Sequence, residues 1–151
     1  MHDDTDRRLL RLLQEAPDLS TAELAERAGL TAMRCARRLA RLQDAGVLRG
    51  SRAVINWKAL GFEVAVSLRV TLDKTQPRAF DEFLARAREV AEVIEIQTFL
   101  GRVDVRLQLV ARDLDHYRVV YRERILALPH IADIESLMTV SVVKSDEKLP
   151  L

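Results

Sequence analysis

The sequence predicts an α+β protein in which a helical half is followed by a half that combines an antiparallel sheet with helices. Up to about residue 45, apolar residues recur at helical spacing between clear stop signals. From residue 64 onward, short alternating stretches typical of strands are separated by two stretches of helical periodicity. The 151 residues, 48% of them hydrophobic, suffice for one ordinary domain or two small ones. We place two domains, at residues 1–55 and 63–151, with residues 56–62 as the linker.

The first helix is predicted over Asp3–Gln14. Asp3 or Asp4 is expected to cap it, and Asp6 lies in its first turn, where the helix dipole favours negative charge. Its buried stripe is formed by leucines, namely Leu9, Leu10, Leu12 and Leu13.

Two further helices joined by a tight turn are predicted between Ser20 and Gly46. The first begins at a capping box formed by Ser20 and Glu23, and it ends at Gly29, which readily takes the left-handed conformation of a helix stop. The second begins at Thr31, its N-cap, and ends near Gly46. Helix, short turn and helix in this order indicate a helix-turn-helix unit.

The last helix of this unit concentrates positive charge. The net charge of the chain is +1, yet residues 31–58 carry seven basic side chains and one acid, whereas residues 59–151 carry 13 basic and 15 acidic ones. This asymmetry predicts a surface for a polyanion such as DNA. The alternative is a solvated helix whose arginine stems cover apolar surface. The predicted DNA-binding residues are Thr31, Arg34, Arg37, Arg38, Arg41, Arg49 and Arg52.

A small wing is predicted after the helix-turn-helix unit. Val47–Ile55 has the pattern of two short strands that turn near Gly50 and Ser51. Arg49 and Arg52, close to this turn, would contact phosphates. An ordinary exposed hairpin with charged edges is the alternative.

The second half is predicted to follow the order β-α-β-β-α-β of a ferredoxin-like fold, with two helices on one face of the sheet. Valine and leucine on both strand faces suggest that a second subunit covers the other face. The predicted elements are strands at Val64–Leu72, Val93–Leu100, Asp104–Ala111 and within Ile131–Val143, and helices at Pro77–Arg88 and Asp113–Leu126.

Several classes of protein are disfavoured by residues that the sequence lacks. Cys35 is the one cysteine, so an internal disulfide is excluded, and we expect it to be buried. A polar start and the lack of an apolar run of about 18 residues predict a cytoplasmic protein. His2, His116 and His130 are far apart and are expected in surface or packing roles. We therefore expect no metal, no cofactor and no catalytic site.

Taken together, the two halves resemble the Lrp/AsnC (leucine-responsive/asparagine, feast/famine) family of transcription regulators, over nearly the whole chain. The order and spacing of the matching segments carry the resemblance. They are Asp3 and Asp6, LSTAELAERAGLT (Leu19–Thr31), RRLARLQDAGVLRG (Arg37–Gly50), AVIN (Ala53–Asn56) with Leu60-Gly61, GRVD (Gly101–Asp104), ARDLDHY (Ala111–Tyr117) and K-x4-LPL (Lys144–Leu151).

The resemblance implies a winged helix-turn-helix that reads operator DNA and an ACT-like domain that binds an effector. It also implies homodimers that pair their sheets and assemble into octamers or similar discs. Amino-acid effectors would bind at the contact between dimers, near the loop Gly101–Asp104. There Gly101 would admit a ligand to the backbone, Arg102 would pair with an α-carboxylate and Asp104 would accept from an α-ammonium group. Ser136 and Met138 on the last strand are further candidates.

Other interpretations remain open at this point. Gly101 and Asp104 are equally typical of a plain β-turn. A DNA-wrapping protein without an effector, or an effector module with a vestigial DNA head, would share the fold. Siroheme decarboxylases also resemble this family, but they use histidine and arginine around the wing and linker, where this chain has no histidine.

Overall fold

A computed structural model of the protein describes residues 3–145 and 148–151. The chain divides into two compact units. One contains the residues up to Val54 together with those from Lys144 to Leu151, and the other contains Ile55–Val143. The C-terminal tail therefore groups with the helical unit, whereas the sequence interpretation placed it in the second domain.

The helical unit contains α1 (Asp4–Glu15), α2 (Thr21–Ala28) and α3 (Ala32–Asp44). Their starts follow the predicted caps: α1 begins at a capping box of Asp3 and Asp6, α2 at the box of Ser20 and Glu23, and α3 at Thr31. Gly29 ends α2 with a φ of 68°. The core between the helices is formed by Leu9, Leu24, Ala25, Ala28 and Cys35.

The two short strands predicted at Val47–Ile55 are not formed, because the described residues there contain no strand. After α3, the amides of Val47 and Leu48 both donate to the carbonyl of Leu42. Residues 49–55 are then exposed, and the side chain of Val54 is 94% exposed. A two-stranded hairpin is marginal by itself, and among the described residues nothing buries this segment.

The C-terminal tail is held on α1. The side-chain amide of Gln14 accepts from the Leu149 N–H at 2.6 Å and donates to the Leu149 carbonyl at 3.3 Å. Arg11 Nε donates to the Leu151 carbonyl at 2.9 Å. These bonds satisfy the backbone of an otherwise extended segment.

The second unit begins with a 3₁₀ turn at Lys58–Leu60 and then follows the predicted order β-α-β-β-α-β. Within the described residues its sheet has four antiparallel strands: the first and third along the chain are central, the second lies at the edge beside the third, and the fourth lies at the edge beside the first. The elements are β1 (Val64–Leu72), α4 (Ala79–Ala87), β2 (Val93–Thr98), β3 (Val105–Ala111), α5 (Leu114–Val120) with a π-helical continuation at Tyr121–Ile125, and β4 (Ile131–Met138).

Both helices cover the same face of the sheet, as predicted. Alternate residues of the central strands, such as Leu68 of β1 and Leu107 of β3, are fully buried against Phe83 of α4 and Val120 of α5. Burying side chains of this size contributes about 1.5–3 kcal/mol each.

The opposite face of the sheet is largely polar, but it also carries Val110, which pairs with Ala65, and Leu137, which pairs with Ser67. On β1 and β3 the intervening positions hold Ser67, Arg69, Arg106 and Gln108. Cross-strand ion pairs link Arg69 to Glu135 at 3.6 Å and Arg106 to Glu95 at 3.3 Å. Most valines and leucines of the strands lie on the helix-covered side, so the expectation of such residues on both faces is confirmed only in part.

Within the described parts of the chain, every helix is too short or too polar to cross a membrane.

Candidate nucleic-acid interface and effector loop

Helix α3 turns a basic face away from the core. Cys35 and Leu42 are fully buried on its inner side, while Arg34 and Arg37 are exposed on other sides. The side chains of these two arginines form no ion pair or hydrogen bond with any other described residue. They are therefore available to an external anion. Thr31 Oγ1 accepts from the Arg34 N–H at 3.3 Å and so caps the N-terminus of the helix.

The next two arginines of α3 are held by a buried carboxylate of α1. Asp6 is fully buried and accepts from Arg38 at 2.7 Å and from Arg41 at 2.6 Å. Arg38 also donates to both oxygens of Asp3 at 2.8 Å. The hydrogen bond from the Asp6 N–H, together with the Arg38 guanidinium, holds the pKa of Asp3 below its ordinary value.

These bonds separate the predicted DNA-binding arginines into two kinds. The side chain of Arg38 is only 27% exposed, and its bonds favour a positioning role over the predicted contact with a base. Arg41 remains 60% exposed and keeps donors for a phosphate. Arg49 and Arg52 lie in the exposed segment that follows α3.

The loop between β2 and β3 is anchored by Asp104, which is 5% exposed. Its carboxylate accepts from the Leu72 N–H at 2.9 Å and pairs with the Lys74 ammonium at 2.9 Å. Burial alone would raise the pKa of Asp104, but these two partners outweigh it and hold the pKa below the ordinary value. Asp104 thus has partners within its own chain, in addition to any ligand.

The rest of this loop is open. Arg102 is exposed, and its carbonyl accepts from Thr71 Oγ1 at 3.2 Å. At Gly101 a Cβ would have no heavy atom within 4 Å, and the φ angle is not left-handed. The backbone there is accessible, and neither φ nor crowding requires glycine.

Ser136 and Met138 lie further along the sheet from this loop. Ser136 pairs with Leu68 and Met138 with Val66, whereas the Asp104 N–H bonds to the carbonyl of Val70. The Ser136 hydroxyl is bonded to the Tyr117 hydroxyl at 3.1 Å. A single chain therefore does not bring these five candidates into one enclosed pocket.

The described histidines have protein partners. The backbone N–H of Arg112 donates to His116 Nδ1 at 3.2 Å, and His130 Nε2 lies 2.6 Å from Glu82 Oε2. His2 lies outside the described residues. Across residues 3–145 and 148–151, no three His, Cys, Asp or Glu side chains are grouped as metal ligands would be.

Known protein families match both units. A family model described as the Lrp/AsnC ligand binding domain matches residues 65–149, and one described as winged helix-turn-helix DNA-binding matches residues 2–49. The chain belongs to the Lrp/AsnC family. It is thereby one of a family of helix-turn-helix transcriptional regulators that carry a ligand-binding domain.

Similar proteins match nearly the whole chain. The HTH-type transcriptional regulator Zrp of Zymomonas mobilis is 30% identical over 99% of this chain and 97% of its own. The proline dehydrogenase transcriptional activator of Rhizobium radiobacter is 33% identical over 94% of this chain and 91% of its own.

Solved structures show the same fold. A transcriptional regulator from Neisseria meningitidis in complex with L-Met has a TM-score of 0.92 and 28% identity, covering 99% of this chain and 97% of its own. An AsnC family regulator from Agrobacterium tumefaciens has a TM-score of 0.89 and 29% identity over the same shares.

Two residues that hold these sites in place are not identified by local sequence patterns. The burial of Asp6 depends on packing between α1 and α3, which its position in the first turn of α1 does not reveal. Lys74 is 30 residues from Asp104 in the chain, and no spacing rule connects them.

Replacing Asp6 should destabilise the helical unit. Asp6→Asn removes the charge that compensates Arg38 and Arg41, and we expect a loss of about 1.5–3 kcal/mol in the free energy of unfolding. Urea titration followed by far-UV circular dichroism measures it. Asp4→Asn, at an exposed position of the same helical turn, should cost only about 0.5 kcal/mol. Equal losses in the two variants would contradict the assignment.

Asp104 should stabilise the second unit only while it is ionised. Because its folded pKa lies below the ordinary 3.8, the stabilisation is fully present above that value and is lost as the pH falls through the folded pKa. The difference in unfolding free energy between wild type and Asp104→Asn should thus be constant near neutral pH and shrink below about pH 4. A difference that persists unchanged to about pH 2 would show that the charge is not responsible.

Proposed function

We propose that this chain is a cytoplasmic, sequence-specific DNA-binding regulator whose activity depends on an amino acid or related effector bound at a subunit interface. One observation carries the DNA-binding part. Helix α3, the second helix of the helix-turn-helix, exposes Arg34 and Arg37 without partners inside the described chain, while Arg38 and Arg41 on the same face are bonded to Asp6.

In this proposal two α3 helices of a homodimer enter successive major grooves, about one helical turn apart. Arg34 and Arg37 contact base edges, and the commonest such contact is arginine to guanine. Arg38 acts mainly by fixing α3 on α1. The remaining candidates contact phosphates, namely Thr31, Arg41, Arg49 and Arg52.

The effector part rests on the open loop after β2. The Arg102 guanidinium, which has no partner among the described residues, would pair with the carboxylate of an effector, and the backbone at Gly101 would approach it. Asp104 would hold the loop in place through Leu72 and Lys74. Ser136 and Met138 would contribute from a neighbouring copy. The Neisseria meningitidis structure, a complex with L-Met, supports an amino acid as the ligand class.

Assembly is proposed through the face of the sheet opposite α4 and α5, with dimers associating further into octamers. That face carries charges of both signs, which suits a self-complementary contact. The buried Nε of Arg106 has no hydrogen-bond acceptor among the described residues, and a second copy would supply one. Effector binding would favour one assembly over another and so change the affinity for DNA.

No catalytic reaction is part of this proposal. His116 and His130 are each bonded within the second unit, and the segment that follows α3 carries arginines without a histidine. An enzyme resembling siroheme decarboxylases is the rival, and a shift of the Soret band on adding a tetrapyrrole would support it.

Arg37→Ala should weaken binding to an operator selected from a random DNA library. A loss of about 1–3 kcal/mol is expected if Arg37 contacts a base, and a salt slope lower by about one if it contacts a phosphate. Arg86→Ala, which removes an exposed arginine of α4, serves as the charge-matched control and should leave affinity unchanged. Arg38→Ala should lower stability as well as affinity.

The same titration against salt separates the rivals. Tight selection of a palindromic site supports the regulator. Weak binding without sequence preference would favour a DNA-wrapping protein, and no binding at all would reopen the enzyme. Unchanged affinity in Arg34→Ala and Arg37→Ala together would remove α3 from the interface.

Arg102→Gln should abolish the response to an amino-acid effector. We expect one amino acid of a panel to raise the melting temperature of the wild type, and its Kd to rise about tenfold or more in the variant, because a charge-assisted pair is lost. Arg118→Gln, at an exposed position of α5, is the control. An unaltered Kd in Arg102→Gln would exclude Arg102 from the effector site.

A further inference from the structure

The outward face of α3 also exposes a large apolar side chain. Met33, the second residue of this helix, is 83% exposed, although the helix has a buried side that holds Cys35. Within the described residues nothing covers it. The first turn of the second helix is the part that helix-turn-helix proteins present to base edges. Met33 therefore stands where a base would be read.

The neighbours of Met33 leave room for close approach. Ala36 and Ala40 lie one and two turns further along the helix and are exposed, so no long side chain stands between Met33 and a surface placed against α3. Arg37, four residues after Met33, lies on the same side. The face thus combines one flexible apolar side chain with unpaired positive charge.

The chemistry of the exposed face of α3 favours DNA over a protein as its binding partner. A protein partner that covered Met33 would also have to remove Arg34 and Arg37 from water, which is costly without anions. DNA supplies phosphates and guanine edges for the arginines. In the major groove it also presents one apolar group, the C5-methyl of thymine. A thioether side chain packs well against a methyl group, because it is flexible and polarisable.

We infer that Met33 is a specificity-determining residue that contacts the C5-methyl group of a thymine in each half-site. The inference rests on the proposed function, since it requires that α3 enters the major groove. Arg34 and Arg37 would set guanine and phosphate contacts, while Met33 would distinguish thymine from cytosine by apolar contact alone.

The test removes the two partners of the contact in turn, the thymine methyl group from the DNA and the Met33 side chain from the protein. An operator is first selected with the wild-type protein, and each thymine of a half-site is then replaced by uracil, which lacks only the C5-methyl. At one position we expect the Kd to rise about fourfold, the worth of one buried methyl group. Met33→Ala should weaken binding to the thymine operator by a similar or larger factor and should abolish the uracil effect at that position.

The controls separate this inference from the proposed function. Leu114→Ala, which removes an exposed apolar side chain from the first turn of α5, should retain the full uracil effect. A wild type that binds no DNA overturns both proposals. A wild type that binds its operator, but whose uracil effects are the same in Met33→Ala, overturns the role of Met33 and leaves the proposed function intact. Unchanged melting temperatures confirm that the variants fold.

Discussion

The buried carboxylate of Asp6 is the interaction on which the helical unit depends. It lies at the start of α1, fully buried, and receives two guanidinium groups from α3. A buried charge is expensive unless it is paired and hydrogen-bonded, and Asp6 meets this condition only when α1 and α3 are correctly docked. The helix that faces DNA in our proposal is therefore oriented by two arginines, Arg38 and Arg41, that lie beside Arg34 and Arg37 on the same face.

A similar division between supporting and contacting charges occurs in the second unit. Asp104 is bonded to the end of β1 through the Leu72 N–H and Lys74, and it thereby fixes the loop that exposes Arg102. In both units a buried carboxylate with partners in the fold, Asp6 or Asp104, supports the local structure. The arginines without partners among the described residues, such as Arg37 and Arg102, face solvent. Residues of the same chemical type, close in sequence, thus have different roles.

Most of the fold follows from local signals, and most of the site does not. Ser20, Glu23 and Thr31 determine helix starts through bonds within one turn, so pattern alone places α2 and α3. The hairpin predicted after α3 failed, because strands need partners that no local pattern reveals. Likewise, Arg38 and Asp104 acquire their partners from residues about 30 positions away, which only tertiary packing brings together.

The polar residues on the outer face of the sheet also help to fix the register of its strands. From Val66 to Leu72 of β1 and from Val105 to Leu109 of β3, buried apolar residues alternate with Arg69, Arg106 and other polar residues. Sliding β1 by one residue against its neighbours would place Arg69 beneath α4 and α5 and expose Val70 to water. Misaligned strands would thus lose apolar burial and leave a guanidinium without anions. The alternation therefore specifies the register of β1 within a single chain.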